Sequence, residues 1–150
     1  MNTAAHVFSI SVETKINYHE TIQCLREVLI RRGFEVLHEL PLDRELGRKA
    51  GLQWSQLGLN WRHYTVFLIW SPLDACQALL SDRDGGLLVA FNLCVAEGNN
   101  ATLVAAANYF NLLRTANASI GTQTLLRDQA KRIRGVLSEL AAQQDGAREV

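Results

Sequence analysis

Charge of one sign is what this chain lacks first. Lys+Arg and Asp+Glu number 15 each, so the formal net charge is zero. A balanced chain has no global field to gather phosphates, which argues against nucleic-acid binding and leaves only small basic clusters such as Arg31-Arg32 and Lys131-Arg132-Arg134. No apolar run approaches the ~20 residues of a membrane span. The opening residues, MNTAAHVFSISVET, show neither the basic start nor the long apolar core of a signal peptide. The expectation is a soluble, cytoplasmic protein without a membrane partner.

Cysteine is sparse. Cys24, Cys76 and Cys94 are odd in number and far apart, which fits a reducing compartment without a disulfide framework. No Cys-x-x-Cys, His-Glu-x-x-His or glycine-rich nucleotide fingerprint occurs. His6, His19, His38 and His63 never stand at the spacing of paired metal ligands. These absences name no catalytic residue, no metal ligand and no cofactor. Proline is confined to Pro41 and Pro72, and no linker or repeat divides the chain. One domain over residues 1–150 follows, a length that buries about two-thirds of the unfolded surface.

What is present is organised around Tyr64–Asn108. In Tyr64–Trp70 both faces are apolar, with Tyr64, Val66, Leu68 and Trp70 opposite Thr65, Phe67 and Ile69. That pattern predicts a central strand covered on both sides. Ser71 then caps a helix with Pro72 at its first position. Leu73, Cys76, Ala78, Leu79 and Leu80 form its expected apolar side. After Gly85-Gly86, Leu87–Glu97 reads as a strand with Val89, Phe91, Leu93 and Val95 on one face. Gly98-Asn99-Asn100, residues that permit positive φ, turn it into Ala101–Ala107 as an antiparallel hairpin.

Upstream, His6–Glu13 alternates as a half-buried strand. Asn17, with Glu20 three residues on, predicts a helix start. Gly33 supplies its left-handed stop. Phe34–Leu40 predicts a second strand ended or held at an edge by Pro41. Asp43–Ala50 suits a short helix with Leu46 inward, and Gly51–His63 an irregular surface loop. Downstream, a helical turn is expected near Phe110–Leu113. A long helix over about 122–143 carries Leu126, Ala130, Ile133, Leu137 and Leu140 as one seam that covers the sheet. The tail from Asp145 is expected to fray.

Gly33-Phe34-Glu35-Val36, the Tyr64–Leu80 stretch with Ser71-Pro72 inside it, and Gly86-Leu87-Leu88 through Glu97 resemble the bacterial domain-of-unknown-function 302 family. The resemblance covers about residues 7–108. It implies a TBP-like α+β fold: an antiparallel curved sheet with helices packed on one face, here extended by the long C-terminal helix. Many members read Cys-Asn-Pro before the helix and Pro-Cys-Asn in the later strand. Here those places read Trp70-Ser71-Pro72 and Ala90-Phe91-Asn92, so thiolate chemistry at these positions is excluded. Two aromatics there would fill a pocket or offer a stacking wall.

The functional expectation is a non-enzymatic module that binds a small apolar or aromatic ligand and self-associates as a homodimer. Trp70, Ser71, Phe91 and Asn92 are its candidate lining, with Trp54 and Trp61 from the loop. Trp70 and Phe91 are expected side by side, and Asn92 as a buried amide bonded to the Ser71-Pro72 corner. The alternative is a redox or enzyme accessory protein using Cys94 or Cys76, each otherwise a small buried hydrophobe.

Overall fold

The computed structural model describes residues 3–5, 8–113 and 117–146, with side chains over 8–113 and 117–143. Among the described residues six antiparallel strands form one sheet in the order β1-β2-β6-β5-β4-β3. They are β1 (Thr3–Ala5), β2 (Ser9–Thr14), β3 (Glu35–Pro41), β4 (His63–Trp70), β5 (Ala90–Glu97) and β6 (Thr102–Ala107). The helices are α1 (Tyr18–Arg31), α2 (Leu42–Ala50), α3 (Pro72–Ser81), α4 (Tyr109–Leu112) and α5 (Ile120–Gly146). His6 and Val7 of the first expected strand, and the last four residues of the tail, lie outside the described residues. Asp145 and Gly146 belong to α5.

Local chemistry explains the element ends. The Asn17 side chain accepts the Glu20 N–H at 2.9 Å and caps α1. Gly33 turns the chain out of α1 at φ +84°, a region costly for any residue with a Cβ. Pro41 closes β3, an edge strand, where a missing donor costs no ladder bond. The β5–β6 turn is made without positive φ at Gly98, Asn99 or Asn100, contrary to the sequence expectation. Gly98 is needed for space instead: a Cβ there would stand 3.0 Å from the Ala101 carbonyl oxygen and 3.2 Å from the Trp61 ring.

The core lies on one face of the sheet. Phe67 and Ile69 of β4, Phe91, Leu93 and Val95 of β5, and Ile10 and Val12 of β2 meet Leu25, Val28 and Leu29 of α1 and Ile133, Val136 and Leu137 of α5. All five seam residues of α5 are buried, so this helix covers the sheet. Among the described residues the opposite face is covered at its Tyr64 end, where the Trp54 ring leans on it, and is open beyond. Leu68 is exposed, and Val66 and Trp70 are half-buried, so over residues 66–70 β4 is interior to the sheet but covered on one side only. Its two apolar faces reflect a core on one and an uncovered apolar surface on the other.

Helix α3 departs further from expectation. Ala75 and Ala78 are its buried residues, whereas Leu73, Cys76, Leu79 and Leu80 are exposed. Two contacts set this rotation. Asp74 pairs with Arg132 of α5, and Gly85 lies against the backbone of Ala78 so closely that a Cβ would meet the carbonyl oxygen at 1.8 Å. Residues Gly85–Leu88 form a short 3-10 turn, and the strand expected from Leu87 begins at Ala90.

Candidate functional site

The register of β3 and β4 builds the most chemically loaded part of the molecule. Pro41 is paired with Thr65. Two residues further on each side stand Asp43, in the first turn of α2, and His63, at the start of β4. His63 Nδ1 lies 3.0 Å from Asp43 Oδ2. The other carboxylate oxygen of Asp43 accepts the Tyr64 N–H at 3.3 Å. A carboxylate at Nδ1 fixes the ring orientation and directs the remaining proton chemistry to Nε2, which makes no hydrogen bond among the described residues.

Helix α1 supplies the second wall. Tyr18 stacks on His63 with ring centroids 5.4 Å apart and planes at 27°. His19 meets Tyr18 edge-on at 5.4 Å and stands 6.3 Å from His63. Tyr18 is buried, and its hydroxyl shares a 2.5 Å hydrogen bond with Thr65 Oγ1. Burial pushes the Tyr18 phenol above its ordinary value, Thr65 works against that shift, and the nearby Asp43 and Glu97 carboxylates add to it. The group is therefore a protonated phenol at neutral pH and can donate.

Three open hollows adjoin this cluster. One, of about 710 Å³, runs from Lys15 and Asn17 past Tyr18, His19 and His63 to Glu97 and the Gly98–Thr102 turn. A second, of about 760 Å³, shares Tyr18, His19 and His63 and continues to Arg26, Glu39, Asp43 and Arg44. A third, of about 600 Å³, is lined by Asp43, Gly51, Trp54 and Arg62. Ion pairs frame the rims: Arg26 grips Glu39 with two hydrogen bonds of 3.0 and 2.7 Å, and Arg62 lies 3.3 Å from Glu97. Lys15 and Arg44 hold no ion pair among the described residues.

The residues expected from sequence are dispersed. Phe91 is in the core, edge-on to Phe34 at 5.7 Å, and is paired with Ile69. Trp70 lies on the other face of the sheet, where its indole N–H donates to Glu35 at 2.9 Å. Strand neighbours alternate between faces, so the side-by-side arrangement of Trp70 and Phe91 is not made. Asn92 is exposed rather than buried. It is paired with Leu68 on the open face, away from Phe91. Ser71 is buried, and its side chain makes no capping bond.

The loop tryptophans and the thiols also separate. Trp54 and Trp61 do come together: the Trp54 indole donates to the Trp61 carbonyl at 2.6 Å. The Trp54 ring leans on Tyr64 at 6.1 Å. All three cysteines are free, Cys76 is exposed, and Cys94 is half-buried. Burial first, and then the neighbouring Cys94 thiol, raise the Tyr64 phenol.

Sequence reasoning missed Asp43 and His63 as a pair, and Tyr18 with them. The available signal was the hairpin-like pairing of two strands whose loop ends at Asp43 and His63. Antiparallel pairing of β3 with β4 forces those ends together, but nothing short of the register says so.

A family model described as "Domain of unknown function DUF302" matches residues 10–140, which extends past the stretch 7–108 and through most of α5. The crystal structure of an uncharacterized conserved protein DUF302 from Bacillus stearothermophilus is similar with a TM-score of 0.73. It is 21% identical, and the match covers 91% of this chain and 99% of that one. At that identity the likeness is one of fold. No curated protein matches.

Proposed function

This chain belongs to the DUF302 family, and from that premise we propose that it is a non-enzymatic small-ligand-binding module whose site is the cleft around His63. One observation carries the reading: three adjoining hollows converge on a single Asp43–His63 pair backed by a buried tyrosine. Hollows of this size suit small molecules, and a few convergent polar groups supply orientation. The Tyr18–His63 stack is a flat wall for a ring or planar group. Lys15 and Arg44 leave positive charge uncommitted beside it, which suits a ligand carrying an acidic group. Of the residues named from sequence, Trp54 belongs to this site as a wall of the third hollow.

Native mass spectrometry of freshly purified protein tests the proposal. The expected result is a co-purifying small molecule that stabilises the wild type against heat and fails to stabilise His63→Ala. His63 is half-exposed, so that variant should fold. Equal thermal stabilisation of wild type and His63→Ala would move the site elsewhere.

A second reading has its own observation. An imidazole held at Nδ1 by a carboxylate, with Nε2 unengaged, is the arrangement of a general base. Incubating the recovered ligand with fresh protein separates the two: an unchanged ligand supports binding alone, and a converted one supports acid–base catalysis.

A further inference from the structure

Leu73 and Leu80 of α3 are each 83% exposed, and Cys76 between them is exposed as well. Steps of three and four residues put all three on one side of the helix, opposite buried Ala75 and Ala78. More apolar surface flanks the stripe on both sides. Leu79 is 60% exposed, and Leu87 in the 3-10 turn that follows α3 is 82% exposed; a Cβ on Gly86 would stand 3.8 Å from the Leu79 side chain, so the turn lies close against α3. The start of α5 meets Ser81 at Gly121 and leaves Ile120 83% exposed. Scattered single leucines on a surface are ordinary, but a contiguous apolar patch marks an interaction site.

We propose that this face is the interface of a two-fold dimer, with α3 crossing α3 of a second copy antiparallel and the Cys76 side chains meeting near the axis. Charge is the first argument. The stripe carries no charged residue, because the one acid of α3, Asp74, is paired inward with Arg132. Its rim holds both signs, Arg83 beside Asp84. A surface neutral at its centre and mixed at its edge is complementary to itself, as an isologous contact requires. A partner read by charge would find nothing to hold at the centre.

Area is the second argument. At roughly 100 Å² for each fully exposed large aliphatic side chain, the five, 60–83% exposed, present roughly 400 Å² per copy. Two copies bury roughly 800 Å² from these side chains alone, and the rest of the α3 face on which they stand brings the contact to the roughly 1,000 Å² where specific interfaces begin. Geometry is the third. Cys76 sits at the middle of the ten-residue helix, the point that an antiparallel two-fold crossing places on its own counterpart. With helix axes 8–10 Å apart and Cα atoms about 2.3 Å from each axis, facing Cα atoms stand roughly 3.4–5.4 Å apart. That overlaps the ~4.4–6.8 Å span of a disulfide. The face lies at the Trp70 end of β4, whereas the cleft lies at the His63 end, so this interface is independent of any ligand.

Light scattering across micromolar concentrations, with the thiols reduced, tests it. The wild type should show twice the 16.7 kDa chain mass. Leu80→Lys and Leu73→Lys should each show the single-chain mass with unchanged circular dichroism; both side chains are exposed, so neither change threatens folding. Diamide, which takes up the two thiol hydrogens as the S–S bond forms, should convert the wild type to a covalent dimer and leave Cys76→Ser uncrosslinked. A wild type of single-chain mass, a dimer that survives both lysine variants, or no covalent dimer with diamide would each overturn the proposal.

Discussion

Asp43 holds His63 at 3.0 Å across the loop ends of two paired strands. It also accepts the Tyr64 N–H, so one carboxylate ties α2 to the start of β4. Its side chain is only 12% exposed, against 49% for His63. The pair is therefore asymmetric: Asp43 is the anchor, and His63 is the group presented to the cleft.

Replacing the anchor should cost more than replacing what it holds. Asp43→Ala removes both acceptor contacts and leaves the Tyr64 N–H unpaired. It should destabilise the fold by ~1–2 kcal/mol. His63→Ala should cost ~0.5 kcal/mol or less, as expected of a half-exposed surface side chain. Urea denaturation of both variants measures this, and a larger loss for His63→Ala would show the order to be wrong.

The two faces of the sheet should separate in the same way. Phe91 is fully enclosed against Phe34 and Tyr109, so Phe91→Ala should cost ~3–5 kcal/mol. Trp70 is half-buried on the open face with its indole on Glu35. Trp70→Ala should cost ~1–2 kcal/mol, chiefly the charged hydrogen bond and partial packing. Equal losses in chemical denaturation would mean that something covers the open face.

Adjacent glycines should respond unequally. Gly85→Ala drives a methyl into the Ala78–Leu79 peptide, where every near atom is backbone and no side chain can yield. A loss of ~3 kcal/mol follows from such overpacking. At Gly86 the same methyl meets only the end of Leu79 at 3.8 Å, and the change should stay within ~0.5 kcal/mol. Thermal melts of the two single variants decide it.

Acid should loosen the contact between α1 and α5. Arg32 above all holds the Glu139 carboxyl below its ordinary 4.5; burial, next in size, pushes the other way, and Arg31 adds to the lowering. In the unfolded chain that carboxyl returns to its ordinary value and binds protons more readily. Its stabilising contribution is therefore complete above about pH 4.5 and is lost as pH falls through the lower native value. Asp82, held below 3.8 by hydrogen bonds from Thr122 and Ser119 at the start of α5, has the same sign. The thermal midpoint should drop between about pH 5 and pH 3, and the drop should be shallower in Glu139→Gln. An unchanged slope in that variant would remove Glu139 from the account.

Much of this fold was legible in the residues alone, because periodicity and caps are local. Asn17 with Glu20, Gly33, and the seam from Leu126 to Leu140 act within one or two helical turns. Their structural roles follow from spacing. Alternation in β4 and β5 correctly separated Phe67, Ile69, Phe91 and Leu93 from Val66, Leu68 and Trp70. It could not say which face the helices would cover, since both faces are apolar.

Tertiary structure decided the rest. In α3 apolar residues surround the helix, so spacing selects no inward side. The Asp74–Arg132 pair and the approach of Gly85 to Ala78 select it, turning the small alanines in and the leucines out. Asp43 and His63 are twenty residues apart in segments with no shared period. They meet only because the register sets Pro41 opposite Thr65, and a register belongs to two strands together rather than to either one.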